Sequence, residues 1–537
     1  MLRKIGLFIL YFPLFFVALC FWSLFSHQMP WQSPPKKTEH QLTILTYNTH
    51  GMLVHDRIET KNTMLNYINS LDADVVCFQE VLVYKNQQLF TLSDLRKAMK
   101  KYFSLIALSL AMLSCENPSQ SGSVLPEYSS PKILNNDGNP LLDFNFNADP
   151  TAVEHEGRLY VYATNDHQQL DIVGPEGNNG YQHIHSLVMM STDDMVNWTF
   201  HGYIDVKSLS PWGIASWAPS ITKRVEADGK THFYLYYSNC GVGVGMLTAT
   251  SPVGPWIDPL GRNVVDKQTE GLGNCGAPFD PGVVVDDEGR GWLSFGGGSN
   301  QFGTEFNPGN ARIVRLADDM MHLDSPIVEI EAPYHFEANE LNYLNDTWIY
   351  TYNTSWVERK EWPLETEKPS ICCMSYMTSQ TPLDTDSWVY QANYFKNPMD
   401  YGFLPSNNHT HLHKFQGEYY LLYHTLALEE HRNGKGGFRS VCIDKISVDE
   451  DNLTIHMGEA TRAGVDQLKP FNPFAWVPAE TVAATHNVRF VPTGRPGDTA
   501  AACHTDGQIL KVRGVDFQAA PQSVSVVVRG PGKLTVR

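Results

Sequence analysis

The sequence predicts an all-β protein centred on a five-bladed β-propeller, and three observations carry that expectation. Five segments share one shape: 148–164 (ADPTAVEHEGRLYVYAT), 217–238, 279–297, 336–354 and 408–425. Each runs as a short strand, turns at EGR, ADGK, DEGR, NDT or QGE, and returns through an aromatic-rich strand, which is the chemistry of hairpins. A weaker element follows the first four (STDDMVNW, SPVGPW, LADDMMHL, DTDSW), and helical periodicity is hardly signalled between them. Repeated units of about four strands without helices are the pattern of a propeller.

The rest of the 537-residue chain divides around that domain. Residues 5–25 carry no charge and follow Arg3 and Lys4; about 20 apolar residues cross a bilayer as a helix, with the cations held on the cytoplasmic side. LTILTYN and DVVCFQE then read as two strands ending at Asn48 and Glu80. These resemble the opening strands of the endonuclease/exonuclease/phosphatase family, whose later catalytic residues have no counterpart before residue 96. A second export start comes next. In KAMKKYFSLIALSLAMLSC (97–115), Met99 precedes Lys100 and Lys101, an apolar run, and Ser114-Cys115, the order of parts in a secretion signal. The expected division is therefore 1–98, a transmembrane segment with a truncated α/β fragment; 99–115, an internal lipoprotein-type signal; 116–140, a linker; 141–475, the propeller; and 476–537, a partial module. Two export starts in one chain read as two joined reading frames.

Composition narrows the partners. Hydrophobic residues make up 42% and charged ones 18%, enough for a sizeable core. Net charge is -18, with no long basic run past residue 40, which argues against nucleic acid, since phosphate binding needs clustered Lys and Arg. The 12 Trp and 24 Tyr are mostly core but suit sugar rings. The nine Cys form no CxxC pair or Cys/His zinc spacing.

The polar register of the repeats bears on function. Asp149 lies eight residues before Gly157, Ser220 nine before Gly229, Asp280 nine before Gly289, Glu337 nine before Asp346 and His409 eight before Gly417. That spacing predicts one special residue at the same place in every repeat, at the head of the first strand, so that all five converge at one end of the central channel. Three of them are carboxylates. Buried carboxylates cost several kcal/mol unless paired, so the cluster predicts a functional site.

At these residues the sequence resembles glycoside hydrolase family 43, over about 140–475. The resemblance implies a five-bladed propeller acting on arabinose- and xylose-containing plant polysaccharides. It implies that Asp149 (in ADP) is the general base, Asp280 (FDPG) the carboxylate that orients and tunes the acid, and Glu337 (HFEAN) the general acid. It places a channel-axis His, beside a bound calcium or sodium ion or a water, at His409 (NNHTHL), with His411 and His413 on the same strand. It places a sugar-contacting Arg at Arg439 (FRSVCID), whose residue-level alternative is a surface ion pair, and a pocket-wall aromatic at Trp217 (WAPS). Many members carry Asp where this chain has Ser220. An inverting glycosidase needs an acid for the leaving oxygen and a base for water, about 6.5–9.5 Å apart; a like charge beside the acid raises its pKa. No cofactor is required. The expected activity is that of an α-L-arabinofuranosidase or β-xylosidase, with an endo-arabinanase or a non-catalytic glycan-binding propeller as alternatives. Residues 476–537 (PAET, ILKVRGVDF) resemble the start of a family 6 carbohydrate-binding module, a β-sandwich needing about 100 residues. The expected location is secreted or at the bacterial cell envelope, held by the first apolar segment or by lipid on Cys115.

Overall fold

A computed structural model describes residues 44–48 and 75–79 by backbone, and residues 132, 136–298, 305–505, 507–518 and 523–528. The chain divides into two units, one comprising residues 1–122 and 518–537, the other 123–517. In the first, β1 (Ile44–Asn48) pairs in parallel with β2 (Val75–Gln79). The apolar segment 5–25, Glu80 and the signal at 97–115 with Cys115 lie outside the described residues. No helix among the described residues is long and apolar enough to cross a membrane.

The second unit is mostly β, and its five repeats are five blades. Blade I holds β3 (Ala148–His155), β4 (Arg158–Thr164), β5 (Leu187–Thr192) and β6 (Trp198–Ile204). Blade II holds β7 (Trp217–Val225), β8 (Thr231–Ser238), β9 (Gly243–Ala249) and β10 (Val265–Asp266). Blade III holds β11 (Gly282–Val285), β12 (Gly291–Gly296), β13 (Ala311–Arg315) and β14 (Val328–Ile330). Blade IV holds β15 (His335–Leu344), β16 (Thr347–Thr354), β17 (Met374–Ser379) and β18 (Val389–Phe395). Blade V holds β19 (His411–Phe415), β20 (Glu418–Thr425) and β21 (Ser440–Lys445). Neighbouring strands within each blade run antiparallel.

Alternation along these strands puts apolar side chains on both faces, and each face packs on the next blade. Tyr162 and Leu187 meet Phe233 and Leu235 between blades I and II. The equivalent layers join II to III, III to IV and IV to V. The ring closes where Leu422, Val441 and Ile443 of blade V pack on Leu159, Val161 and Trp198 of blade I. Blade V lacks a fourth strand, and its free edge is covered by the chain just before blade I. Leu141 N donates to Val441 O at 2.8 Å and Asn147 N to Arg439 O at 2.9 Å. The side-chain oxygens of Asn139 and Asn147 accept the Ile443 and Val441 N–H groups at 2.9 Å each. Asn139, within the expected linker, is thus part of the ring.

The far end of the unit is built onto blade I. β22 (Val448–Asp449) and β23 (Thr454–Ile455) form a hairpin after blade V. β24 (Thr481–Val482) pairs with β6 as a fifth strand of blade I. β25 (Ala484–His486) pairs with β28 (Ile509–Lys511), and β26 (Arg489–Pro492) with β27 (Thr499–Ala502). Phe490 packs, tilted, against Phe144 and Phe200 at 4.5 and 5.7 Å between ring centres, and buried Asp143 accepts both the N–H and the hydroxyl of Thr485 at 2.8 Å. The residues expected to open a separate module are therefore packed into the same unit as the propeller.

One expectation about register is corrected. In blades I, II and IV the first strand carries a two-residue bulge, at 149–150, 218–219 and 338–339. The first bulge residue, with Asp280 in blade III, has positive φ: 51° at Asp149, 38° at Ala218, 48° at Asp280 and 62° at Ala338. Asp149 and Asp280 are equivalent, but Glu337 stands one residue before that position and Ser220 two after it. Blade IV shares the two-residue turn of blade I, so Glu337, nine residues before its end, falls one short of the bulge; in II and III the cause is loop length. Blades I, IV and V close through two-residue turns with both central residues at positive φ (Glu156-Gly157, Asn345-Asp346, Gln416-Gly417), whereas Glu226 N to Lys230 O and Asp286 N to Arg290 O bonds close longer loops in II and III. A count taken back from the turn therefore shifts from blade to blade.

Candidate active site

The bulges are locked from one blade to the next. The Ala218 N–H donates to Thr164 Oγ1 at 2.8 Å, the Asp280 N–H to Ser238 Oγ at 2.7 Å, and the Asp149 N–H to His424 Nδ1 at 3.2 Å. Each acceptor lies at the end of the second strand of the preceding blade. Blade III has Gly296 there, and the Ala338 N–H instead finds Asp280 Oδ2 at 2.9 Å. A hydroxyl that accepts an N–H turns its own proton elsewhere: Thr164 donates to Asp149 Oδ2 at 2.8 Å and Ser238 to Asp280 Oδ1 at 3.0 Å. The backbone that positions the carboxylates thus also orients their donors. In the same way, His424 Nδ1 accepts, so Nε2 carries the proton and donates to Asn407 O at 2.8 Å.

Asp149 is buried and strongly held. Arg439 Nη1 donates to its Oδ1 at 2.9 Å; His424 and His409 Nδ1 lie 3.4 and 3.6 Å from the same oxygen. Burial alone would raise its pKa, but the charge of Arg439, then the neighbouring His424 and His409 imidazoles and the Thr164 bond, hold it below the usual carboxylate range. Asp280 goes the other way. Burial first, then the charges of Glu337 and Asp149, push it well above that range. Glu337 is half-buried, as a group that meets a substrate must be. Its Oε1 accepts from Asn407 Nδ2 at 3.3 Å. Burial raises it most; Asn407 and Arg439 oppose, the charge of Asp149 adds, and the carboxyl is pushed up to about 7. One site therefore holds an ionised carboxylate and a carboxylic acid at neutral pH, which is the pairing that acid and base roles require.

Asp149, Asp280, Glu337, His409 and Arg439 are brought together. Arg439 is 3% exposed, so the alternative of a surface ion pair is overturned: blade closure buries it, and Asp149 and Asp166 share its donors. Trp217 is half-buried at the edge; its indole donates to Tyr181 O at 3.1 Å, and the Tyr181 ring lies 4.9 Å from the Arg439 guanidinium carbon. His411 and His413 continue along the same strand: His411 Nδ1 is 3.2 Å from Glu340 Oε1, its Nε2 is 3.3 Å from His413 Nδ1, and Ser220 donates to Glu340 Oε2 at 3.2 Å. Sequence reasoning missed Thr164, Asp166, Tyr181, Glu340, Asn407 and His424. The legible signal for Thr164, Ser238 and His424 was a polar residue closing each aromatic strand. His409 Nε2 is buried without a hydrogen-bond partner among the described residues. Calcium takes six to eight oxygens, and among the described residues no group of three or more His, Cys, Asp or Glu side chains could hold a metal ion.

The sequence profile described as Glycosyl hydrolases family 43 matches residues 138–454. The chain belongs to this family. The family 43 domain thus runs from the Asn139 edge strap through blade V. An arabinoxylan arabinofuranohydrolase of Bacillus subtilis (strain 168) is 34% identical over 401 residues, 71% of this chain and 76% of that protein. One of Paenibacillus polymyxa is 32% identical over 71% of this chain, which spans 61% of that relative's length. A solved family 43 structure, the arabinoxylan arabinofuranohydrolase from Bacillus subtilis in complex with cellotetraose, superposes with a TM-score of 0.63 at 34% identity, over 68% of this chain and 77% of that one.

Proposed function

We propose that the chain is an inverting glycoside hydrolase acting on arabinose- and xylose-containing plant polysaccharides, removing α-L-arabinofuranosyl or β-xylosyl units. The observation that carries this is the pair of opposed carboxyls, Asp149 held ionised beside Arg439 and Glu337 raised to about 7 in the same site. Two relatives named arabinoxylan arabinofuranohydrolase favour arabinose on xylan. In this scheme Asp149 takes a proton from water as the water oxygen bonds to the anomeric carbon. The glycosidic C–O bond breaks, its electron pair goes to the leaving oxygen, and Glu337 supplies that oxygen's proton. Asp280 neighbours the acid and orients it; Trp217 walls the sugar site. His409 orders a water at the channel axis.

Proton NMR of the first sugar released from arabinoxylan, beside a panel of nitrophenyl arabinofuranoside, nitrophenyl xyloside and arabinan, tests the reading. Inverted anomeric configuration with arabinose release is expected; retention, or binding without turnover, refutes it. Two finer proposals rest on sequence alone: residues 476–537 are kin to family 6 carbohydrate-binding modules, and the product started at Met99 is a cell-envelope lipoprotein. A clickable fatty acid should label that product, and Cys115→Ala should remove the label.

A further inference from the structure

Asp166 is a fully buried acid for which the reaction above has no use. It opens helix α1 (Asp166–Val173) and is 0% exposed. Its Oδ2 accepts Arg439 Nε at 2.9 Å, the Arg439 backbone N–H at 3.1 Å and Asn179 Nδ2 at 2.7 Å; its Oδ1 accepts Arg439 Nη2 at 2.9 Å. The forked edge of the guanidinium is thereby committed to Asp166. Of the three N–H groups that remain, those of Nη1 serve the rest of the site, at 2.9 Å from Asp149 Oδ1 and 3.4 Å from Asn407 Oδ1. Asn407 in turn donates to Glu337 at 3.3 Å, so the placement of one guanidinium reaches both reacting carboxyls.

We propose that Asp166 is a positioning residue for the base: by holding the Nε/Nη2 edge of Arg439 it fixes the guanidinium so that Asp149 meets a single N–H of that cation, from Nη1. This rests on the reading of Asp149 as the base. An arginine facing one carboxylate prefers to chelate it through two parallel N–H groups. Thr164 already donates to Asp149 Oδ2. A chelating Arg439 would bring the donors on Asp149 to three, occupy the lone pair that must receive the water proton, and make the carboxylate a weaker base. With Asp166 present, one positive charge serves two carboxylates and Asp149 stays a usable acceptor.

The test compares Asp166→Asn, Asp166→Glu and Asp149→Ala with the parent on nitrophenyl arabinofuranoside and on arabinoxylan. Asp166→Asn keeps the shape and removes the charge. It is expected to lower kcat by about 10–100-fold, equally on both substrates, with KM within about twofold, because base strength matters whatever the leaving group. Its acid limb of kcat/KM is expected to move to lower pH, whereas Asp166→Glu keeps the charge and the parent limb. A fall in activity with an unmoved limb would assign Asp166 a purely structural role and overturn the proposal, as would full activity of Asp166→Asn. If Asp166→Asn does not fold, a limb moved downward in Asp166→Glu overturns it equally. Substantial activity in Asp149→Ala would instead refute the base assignment itself.

Discussion

At the scale of single residues, the contrast between Glu337 and Asp149 sets separable expectations. Glu337→Ala should lose about 10²–10⁴-fold on arabinoxylan, the usual range for general acid catalysis, and much less on a nitrophenyl glycoside whose leaving group needs no proton. Asp149→Ala should be inactive on both. The acid works only while protonated, so kcat/KM should fall as pH rises through about 7, where Glu337 loses its proton. The charge of Glu337 raises Asp280, whereas the rise of Glu337 comes from burial and Asp149, so Asp280→Asn should leave that alkaline limb in place; a limb moved to lower pH would show that Asp280 is charged while Glu337 titrates. The residues proposed for these roles were legible because short motifs mark them locally (ADP, FDPG, HFEAN). Asp166 and Asn407 were not: their meaning lies in contacts with Arg439, 273 and 32 residues away in the chain.

At the scale of the element, each blade was legible as a hairpin with its aromatic return strand, while the register of the strand heads was not. Two-residue turns place the bulge eight residues before the turn's second residue in blades I and IV, and longer loops break the count in II and III. The local contact that marks the true register is the hydroxyl or imidazole of one blade accepting the N–H of the next. Thr164→Val, close in shape, leaves the buried Ala218 N–H without its acceptor and should cost about 1–3 kcal/mol. It also removes a donor from ionised Asp149, raising that carboxyl's pKa and moving the acid limb of kcat/KM upward. Thermal or urea unfolding beside a pH profile checks both; a stability loss with no movement of the limb would sever the link between bulge and base.

At the scale of the molecule, the closed ring and five interblade layers follow from repetition, but the strap over blade V and the docking of 481–517 on blade I do not, because neither repeats. A protein ending at residue 475 strips Phe490 from Phe144 and Phe200 and Thr485 from Asp143. Compared with one ending at 518, it should melt several degrees lower; equal melting would show the docked segment to be dispensable. Acid stability has a two-stage shape. His335, His413 and His424 are held down to about 4, 3 and 3, by burial above all. The unfolded chain protonates them below about pH 6.5 and the folded one does not, so each removes about 1.4 kcal/mol per pH unit as pH falls. Between about pH 7 and 4.5 the raised Glu337 and Asp280 bind protons in the folded state and work against this loss. Below about 4.5 that offset fades, so urea midpoints should decline gently at first and then steeply; a profile flat to pH 4 would contradict buried neutral histidines.

The bond between Asp149 and Arg439 spans 290 residues, from the head of the first blade to the last strand of the fifth. At about 5–20 residues per second, a ribosome needs roughly 15–60 s to travel that distance. Throughout that time the first blade carries a carboxylate whose permanent counter-charge has yet to be translated. The blade that emerges first is therefore the last to acquire its finished interior, and the proposed base becomes competent only when the growing polypeptide can reach back around the circle to it.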